Sequence, residues 1–269
     1  MPQTITEKVV QAHAEGLPTG HEVLAGDMVT VRPFHVMTHD NTGAVMPKFH
    51  AIGAERVADP SQPVFTLDHN VQDTSDENLA KYRRIEEFAG NQGVTFFPAG
   101  AGIGHQLMVE QGFVHPGTLV VASDSHSNMY GALAAVGTPV VRTDAAALWA
   151  GSVTWWLVPR TVKVVLEGEL RPGVTGKDVI ITLCGLYHSG EVLNAAIEFH
   201  GPGVAGLSMS ERLTISNMTT EWGALVGWFP FDEITAEYLS ERATALSANG
   251  VVDRLTEEMI SGWEANPPG

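Results

Sequence analysis

Cysteine is nearly missing: Cys184 stands alone in 269 residues, so an internal disulfide is excluded and a reducing, cytoplasmic setting is expected. Positive charge is scarce as well, with 15 Lys and Arg against 31 Asp and Glu and a formal net charge of -16. A field of that sign repels phosphate backbones and anionic membrane surfaces, so the expectation is no nucleic-acid and no membrane partner. Long apolar runs are lacking too. Gly, Thr, Asp or Arg interrupts even the richest segments well before the roughly 18 residues that a bilayer span requires. Residues 1–11 have neither the basic start nor the apolar stretch of a secretory leader. What is present is 44% apolar residues, with 28 Gly and 15 Pro spread along the chain. That profile suits a loop-rich globular protein with one large domain or two ordinary ones.

Thr4 lies three residues before Glu7 and just ahead of an apolar pair, a capping-box spacing that predicts a short helix. Met28–Val31 alternates as a strand ending at Arg32-Pro33. Residues 62–67 and 93–98 read as buried strands, and Leu79, Tyr82, Ile85 and Phe88 give the segment between them helical spacing. Strand, helix, strand in that order implies a parallel crossover. A helix over 105–112, a strand over 118–122 and an Ala-rich helix over 143–151 continue the alternation, so the class is α/β with largely parallel sheets. The texture changes after Pro159, which places a domain boundary near 160: 1–160, then 161–262, then a linker-like 263–269. Within the second block, 161–168 reads as strand, 176–183 as helix or strand, and 191–198 and 210–219 as helix. Residues 234–262 read as amphipathic helix with a weak centre at 247–250.

Polar side chains gather just beyond the expected strand ends: His39, Asp40, Asn41 and Thr42; Asp68 and His69; Gly104, His105 and Gln106; Asp124, Ser125 and His126. In an open parallel sheet those ends share one edge, where ligands bind, so four distant segments should meet in one crevice. Imidazoles beside carboxylates at such an edge suit proton transfer near neutral pH. His13, His21 and His50 fall outside these groups and read as structural, while His188 and His200 stay open. No dinucleotide fingerprint or P-loop is present. If 217–221 is helical, Asn217 and Glu221 share a face and offer an amide and a carboxylate to one ligand. Cys184 follows an apolar run and reads as a small hydrophobe, not a nucleophile.

Several segments, taken in order, resemble the N-terminal half of the aconitase superfamily: Met37-Thr-His-Asp-Asn-Thr42, Leu67-Asp-His69, Gly102-Ile-Gly-His-Gln106, Ala122-Ser-Asp-Ser-His-Ser-Asn128 and Asn217-Met-Thr-Thr-Glu221. Val121–Tyr130, Arg142-Thr-Asp-Ala-Ala-Ala147 and Val174-Thr-Gly-Lys-Asp-Val179 resemble the homoaconitase and 3-isopropylmalate dehydratase large-subunit branch, whose chemistry belongs to lysine and leucine biosynthesis. The resemblance covers residues 3 to 235. It implies three-layer α/β/α aconitase-like domains 1 and 2, without the cluster-bearing domain. It further implies a hydro-lyase that dehydrates a hydroxy di- or tricarboxylate to an alkene and rehydrates it at the neighbouring carbon. A [4Fe-4S] cluster held by three cysteines would act there as a Lewis acid.

Carried over by position, Asp68, His69, His105, Asp124, His126 and Glu221 resemble the family's catalytic groups. His39, Asp40, Ser125 and Asn217 resemble its substrate-side groups, with His39 standing where many relatives have a glutamine. Cys184 lies outside the cluster motifs, so no metal ligand is expected in this chain. The partners implied are a cysteine-bearing remainder of the large subunit, which also brings the serine base and most substrate-binding arginines, and a small swivel-domain subunit. Two other readings stand beside this one: a cluster-less binding or regulatory module, and an enzyme using a single divalent metal held by His and Asp.

Overall fold

The computed structural model describes residues 2–268. Helix α1 (Ile5–His13) opens with Thr4 accepting from the Glu7 N–H while the Glu7 carboxylate accepts from the Thr4 N–H, the reciprocal cap its spacing predicts. Two short strands, β1 (Ala14–Glu15) and β2 (Met28–Val31), follow. Next come β3 (His35–Thr38), α2 (Thr42–Ala51), β4 (Pro63–Thr66), α3 (Asp76–Gln92), β5 (Thr95–Phe97) and α4 (Gly104–Glu110). The unit is completed by β6 (Leu119–Ala122), a 3-10 segment over Ser127–Leu133, β7 (Val136–Pro139), α5 (Arg142–Gly151) and β8 (Thr154–Leu157). Helix α3 is bounded by a Ser75 cap and by Gly93, which turns left-handed at φ 73.

Five strands form a wholly parallel sheet in the order β5-β4-β3-β6-β7. Every residue of β4 and of β6 is buried, which is why both read as unbroken apolar runs instead of alternating ones. Strands β1, β2 and β8 make a separate antiparallel sheet at the side. Met28–Val31 is therefore a strand as expected, but not the one that leads to His39. That strand is β3.

The second block holds β9 (Thr161–Val165), α6 (Gly176–Leu186), β10 (Ala196–His200), α7 (Met209–Met218) and β11 (Val226–Trp228). Then come α8 (Glu233–Ala248) and α9 (Glu257–Ala265). Its sheet is parallel, in the order β11-β10-β9. The segment 191–198, expected to be helical, instead turns and then enters β10, the central strand of this sheet. Glu198 misleads here. In a helix its charge would face water, whereas in β10 it is buried, and Oε1 accepts from the N–H and hydroxyl of Thr6 in the first turn of α1. The weak centre expected at 247–250 does break the tail, between α8 and α9.

A boundary near 160 falls between β8 and β9, yet one apolar core contains Val36, Leu119 and Trp149 together with Val226, Leu239 and Ile260. A smaller core, with Ile197, Phe199, Ile215 and Phe229, lies inside the second block. The two blocks touch most closely at glycine. A Cβ on Gly131 would lie 1.8 Å from the carbonyl oxygen of Gly227, and Gly131 accepts from the Phe229 N–H at 2.9 Å. The tail expected as linker from 263 begins inside α9, where Trp263 packs partly buried on the larger core with its ring 5.4 Å from His115. No described helix is long and apolar enough to cross a membrane.

Candidate active site

Chain order reverses at β3, with β4 and β5 on one side of it and β6 and β7 on the other. Loops leaving the C-terminal ends of β3 and β6 diverge at such a switch point and leave a crevice. His39 and Asp40 follow β3, Ser123 and Asp124 follow β6, Asp68 and His69 stand just past β4, and His105 is in the first turn of α4. The four strand-end groups thus meet on one edge.

Asp124 is their centre. Its Oδ1 lies 2.6 Å from His105 Nε2 and accepts from the His126 N–H at 2.9 Å. Its Oδ2 lies 3.3 Å from His69 Nε2 and 3.8 Å from His39 Nε2. Burial alone would push this carboxyl up, but the His105 hydrogen bond, the His126 N–H and the nearby imidazoles reverse that and hold it well below the usual carboxylate range. His69 bridges two carboxylates, since its Nδ1 is 2.6 Å from Asp68 Oδ1. Burial lowers its pKa, yet the Asp68 hydrogen bond and the charges of Asp68, Asp124 and Asp40 outweigh burial and raise it. His39 stacks on His69 with ring centres 3.9 Å apart. Burial first, and then the His69 charge, lower the pKa of His39. One of the two stacked rings therefore favours a proton and the other sheds it.

Two buried supports fix this geometry. Asp40 Oδ2 accepts from the N–H groups of Asp68 and His69 at 2.9 and 2.8 Å, and Oδ1 accepts from the Asn70 N–H at 3.2 Å and from the Tyr82 hydroxyl. Burial pushes Asp40 up, but the Tyr82 hydroxyl and those three N–H groups hold it below its ordinary value. Tyr82 is pushed up to about 12, by burial first and by Asp40 second. Asp68 Oδ2 accepts from the Gly104 N–H at 2.6 Å, and a Cβ on Gly104 would stand 2.9 Å from that oxygen and 2.6 Å from the Thr66 hydroxyl. The second glycine of Gly102-Ile-Gly-His105 therefore has a steric cause.

On the opposite wall, His126 Nε2 lies 3.1 Å from Glu221 Oε1 and its Nδ1 lies 3.0 Å from the Ser125 hydroxyl. The Thr220 hydroxyl donates to the Ser125 carbonyl at 2.6 Å, so the 219–223 turn locks onto the loop after β6. The shared helix face expected for Asn217 and Glu221 is not found: α7 stops at Met218 and Glu221 lies exposed in the following turn. Asn217 is half-buried at the end of α7. His13 ends α1 and is held in the scaffold, bonding the Val9 carbonyl and the Leu119 N–H.

A cleft of about 1270 Å³ opens beside the cluster, lined by His39, Asp124 and Ser125 and also by Lys48, Arg142 and Trp155. A second, of about 780 Å³, is lined by His39, Asp40, His50, Lys81, Arg84 and Arg142. Sequence reasoning missed these cations, together with Tyr82 and Tyr130. Arg142 and Tyr130 stood inside segments noticed only for their resemblance, and their chemistry was the available signal.

Neither donor set favours a resident metal. His39, Asp40, Asp68 and His69 each bring one atom within 4.8 Å of the others, but Asp40 and Asp68 use their oxygens on backbone N–H groups and on His69. A [4Fe-4S] cluster needs several thiolates. Cys184, the single cysteine, is half-buried on α6 against the smaller core, and burial pushes its thiol up. The residues present do not fit the cluster.

The family model for the aconitase family (aconitate hydratase) matches residues 7–265. The mitochondrial homoaconitase of Aspergillus niger is 58% identical over 255 residues, covering 94% of this chain and 33% of that protein. Those of Yarrowia lipolytica and Emericella nidulans are 58% and 57% identical over 246 and 278 residues, covering 91% and 99% of this chain and 36% of each protein. The chain spans about a third of the length of the curated relatives it matches. By the extent of the family match and by these identities, the chain belongs to the aconitase family.

Proposed function

We propose that this chain supplies the proton-handling side of a homoaconitase-like or 3-isopropylmalate-isomerase-like hydro-lyase acting on a hydroxy di- or tricarboxylate. The observation that carries the reading is His69, half exposed to the crevice, held between Asp68 and Asp124 with its pKa raised. Hydroxide is a poor leaving group, and a proton delivered as the C–O bond breaks converts it to water. In this reading His69 gives that proton to the departing oxygen, and Asp68 and Asp124 hold the charge it returns to when reprotonated. Rehydration runs the same transfer backwards. The proton on the neighbouring carbon leaves to a base outside these residues.

His105, His126 and Glu221 keep Asp124 and the far wall in register, His39 and Ser125 line the space for substrate, and Asn217 at the end of α7 is proposed as a further substrate-side group. Asp40, with its oxygens taken by N–H groups and a phenol, is proposed as a positioning residue instead of a substrate contact. A cysteine-bearing remainder and a small swivel-domain subunit would bring the [4Fe-4S] cluster, the base and the carboxylate-binding arginines. A cytoplasmic location suits the lone Cys184, although the relatives above are named mitochondrial.

The test is anaerobic assembly of this chain with its cysteine-bearing counterpart and swivel subunit, followed by the ultraviolet absorbance of the conjugated alkene formed from hydroxy di- and tricarboxylates. Turnover that needs all components and is lost on His69→Asn supports the proposal. Full turnover by this chain alone, without partner or iron, overturns it.

A further inference from the structure

Tyr130 lies in the Ser127–Leu133 segment with no exposed surface, and its hydroxyl is 2.9 Å from Nδ1 of His105. Among the described residues that hydroxyl has no other hydrogen-bond partner. His105 is itself buried, and its other ring nitrogen, Nε2, faces Asp124 Oδ1 at 2.6 Å. We infer that Tyr130 sets the tautomer of His105: its O–H donates to His105 Nδ1 and holds the ring hydrogen on Nε2, toward Asp124. The inference rests on the proton-handling reading above and adds to it a positioning residue whose test does not depend on turnover.

The hydrogen-bond arithmetic allows few alternatives. Asp124 is ionised and accepts only, so Nε2 must donate to it. Burial, and after it the charges of Asp124 and Asp68, push Tyr130 well above its ordinary pKa, so the phenol keeps its hydrogen. With its hydrogen on Nε2, His105 receives the phenol hydrogen at Nδ1, and both ring nitrogens and the hydroxyl are satisfied. A hydrogen on Nδ1 would instead face the phenol oxygen and leave the phenol hydrogen in the core with no acceptor.

The charged and titratable groups around His105 are few. Asp124 faces Nε2, Tyr130 faces Nδ1, Asp68 reaches the neighbouring Gly104 N–H, and His69, His39 and His126 approach only through Asp124. His69 has the opposite arrangement, with a carboxylate at each nitrogen and no donor aimed at it. The same Asp124 therefore faces one ring with a hydroxyl at its far nitrogen and one with a second carboxylate there.

The full 269-residue chain labelled with 15N-histidine provides the test. In the unaltered protein His105 shows one N–H correlation at neutral pH, at Nε2, and its Nδ1 resonance is moved upfield from that of a free imine nitrogen by the Tyr130 hydrogen bond. Tyr130→Phe removes that donor, and the Nδ1 resonance of His105 moves downfield toward that of a free imine nitrogen. An Nδ1–H on His105 at neutral pH in the unaltered chain overturns the assignment. So does a Tyr130→Phe chain, folded by the unchanged His35 and His115 signals, whose His105 Nδ1 resonance stays where it is in the parent. Correct tautomers with no turnover in the assembled enzyme would sink the functional reading and leave this assignment standing, whereas turnover with the wrong tautomer does the reverse.

Discussion

Asp40 and Asp124 follow adjacent parallel strands at the same sheet edge, both mostly buried and both held below the ordinary carboxylate pKa, but their donors differ in kind. Asp40 accepts from three backbone N–H groups and a phenol, none of which titrates near neutral pH. Asp124 accepts from or faces imidazoles. A carboxylate fed by fixed donors holds a loop in place, whereas one fed by imidazoles sets where protons reside. In sequence the two look alike, each an Asp next to or near a His after a strand. The partners, not the residue type, assign the task.

The sharpest way to break this contrast is Asp124→Asn in the assembled enzyme. Turnover should fall about 10³-fold, the scale of a lost acid-base assembly, and a loss under tenfold would erase the distinction. Asp40→Asn should act first on stability. Three N–H groups and the Tyr82 hydroxyl lose a full carboxylate, which costs about 3 kcal/mol. Thermal unfolding followed by circular dichroism should drop by ~8 °C, more than for Asp124→Asn, and an equal drop in both variants would mean that both carboxylates are merely structural.

Asp68→Asn sharpens the account of His69. In the proposed role the protonated ring is the active form, so activity should fall as pH rises through its raised pKa. Removing the Asp68 charge lowers that pKa and moves the fall toward acid by about one pH unit, a tenfold loss on the basic side. A pH–rate profile that stays in place would contradict His69 as the acid. The same raised pKa contributes stability that is complete below the ordinary imidazole value and is lost as pH rises through the raised one.

Tyr82→Phe should be the mildest change, about 1 kcal/mol from urea unfolding at neutral pH. Asp40, with its depressed pKa, contributes stability above the ordinary carboxylate value and loses it as pH falls through the depressed one. Without the Tyr82 hydroxyl the depression is smaller, so that loss should be smaller and complete at higher pH, and an unchanged acid limb would mean that the phenol does not hold Asp40.

Much of this site was legible in the chain. Carboxylates and imidazoles after successive strands pointed to one sheet edge because strand ends in a parallel sheet share an edge whatever the intervening helices do. The strand before His39 was not legible, since His35-Val-Met-Thr38 is short, starts with a ring that bonds the Gln62 carbonyl, and follows Arg32-Pro33. Segment 191–198 hid its strand behind Glu198, whose partner Thr6 is 192 positions away. Glu221 was placed beside Asn217 by helical spacing, yet it reaches His126 from a turn. Local pattern predicts elements, but the choice of partner for a buried charge is made by tertiary contacts that spacing does not encode.

The most direct test is the carbon-13 carboxyl signal of Asp124 followed across pH, with the titration of His69 read in the same samples. Asp124 should stay ionised far below the pH at which ordinary aspartates protonate, and Asp124→Asn should lower the pKa of His69. An Asp124 that titrates like an exposed aspartate, beside a His69 indifferent to its removal, would contradict a carboxylate-centred proton cluster.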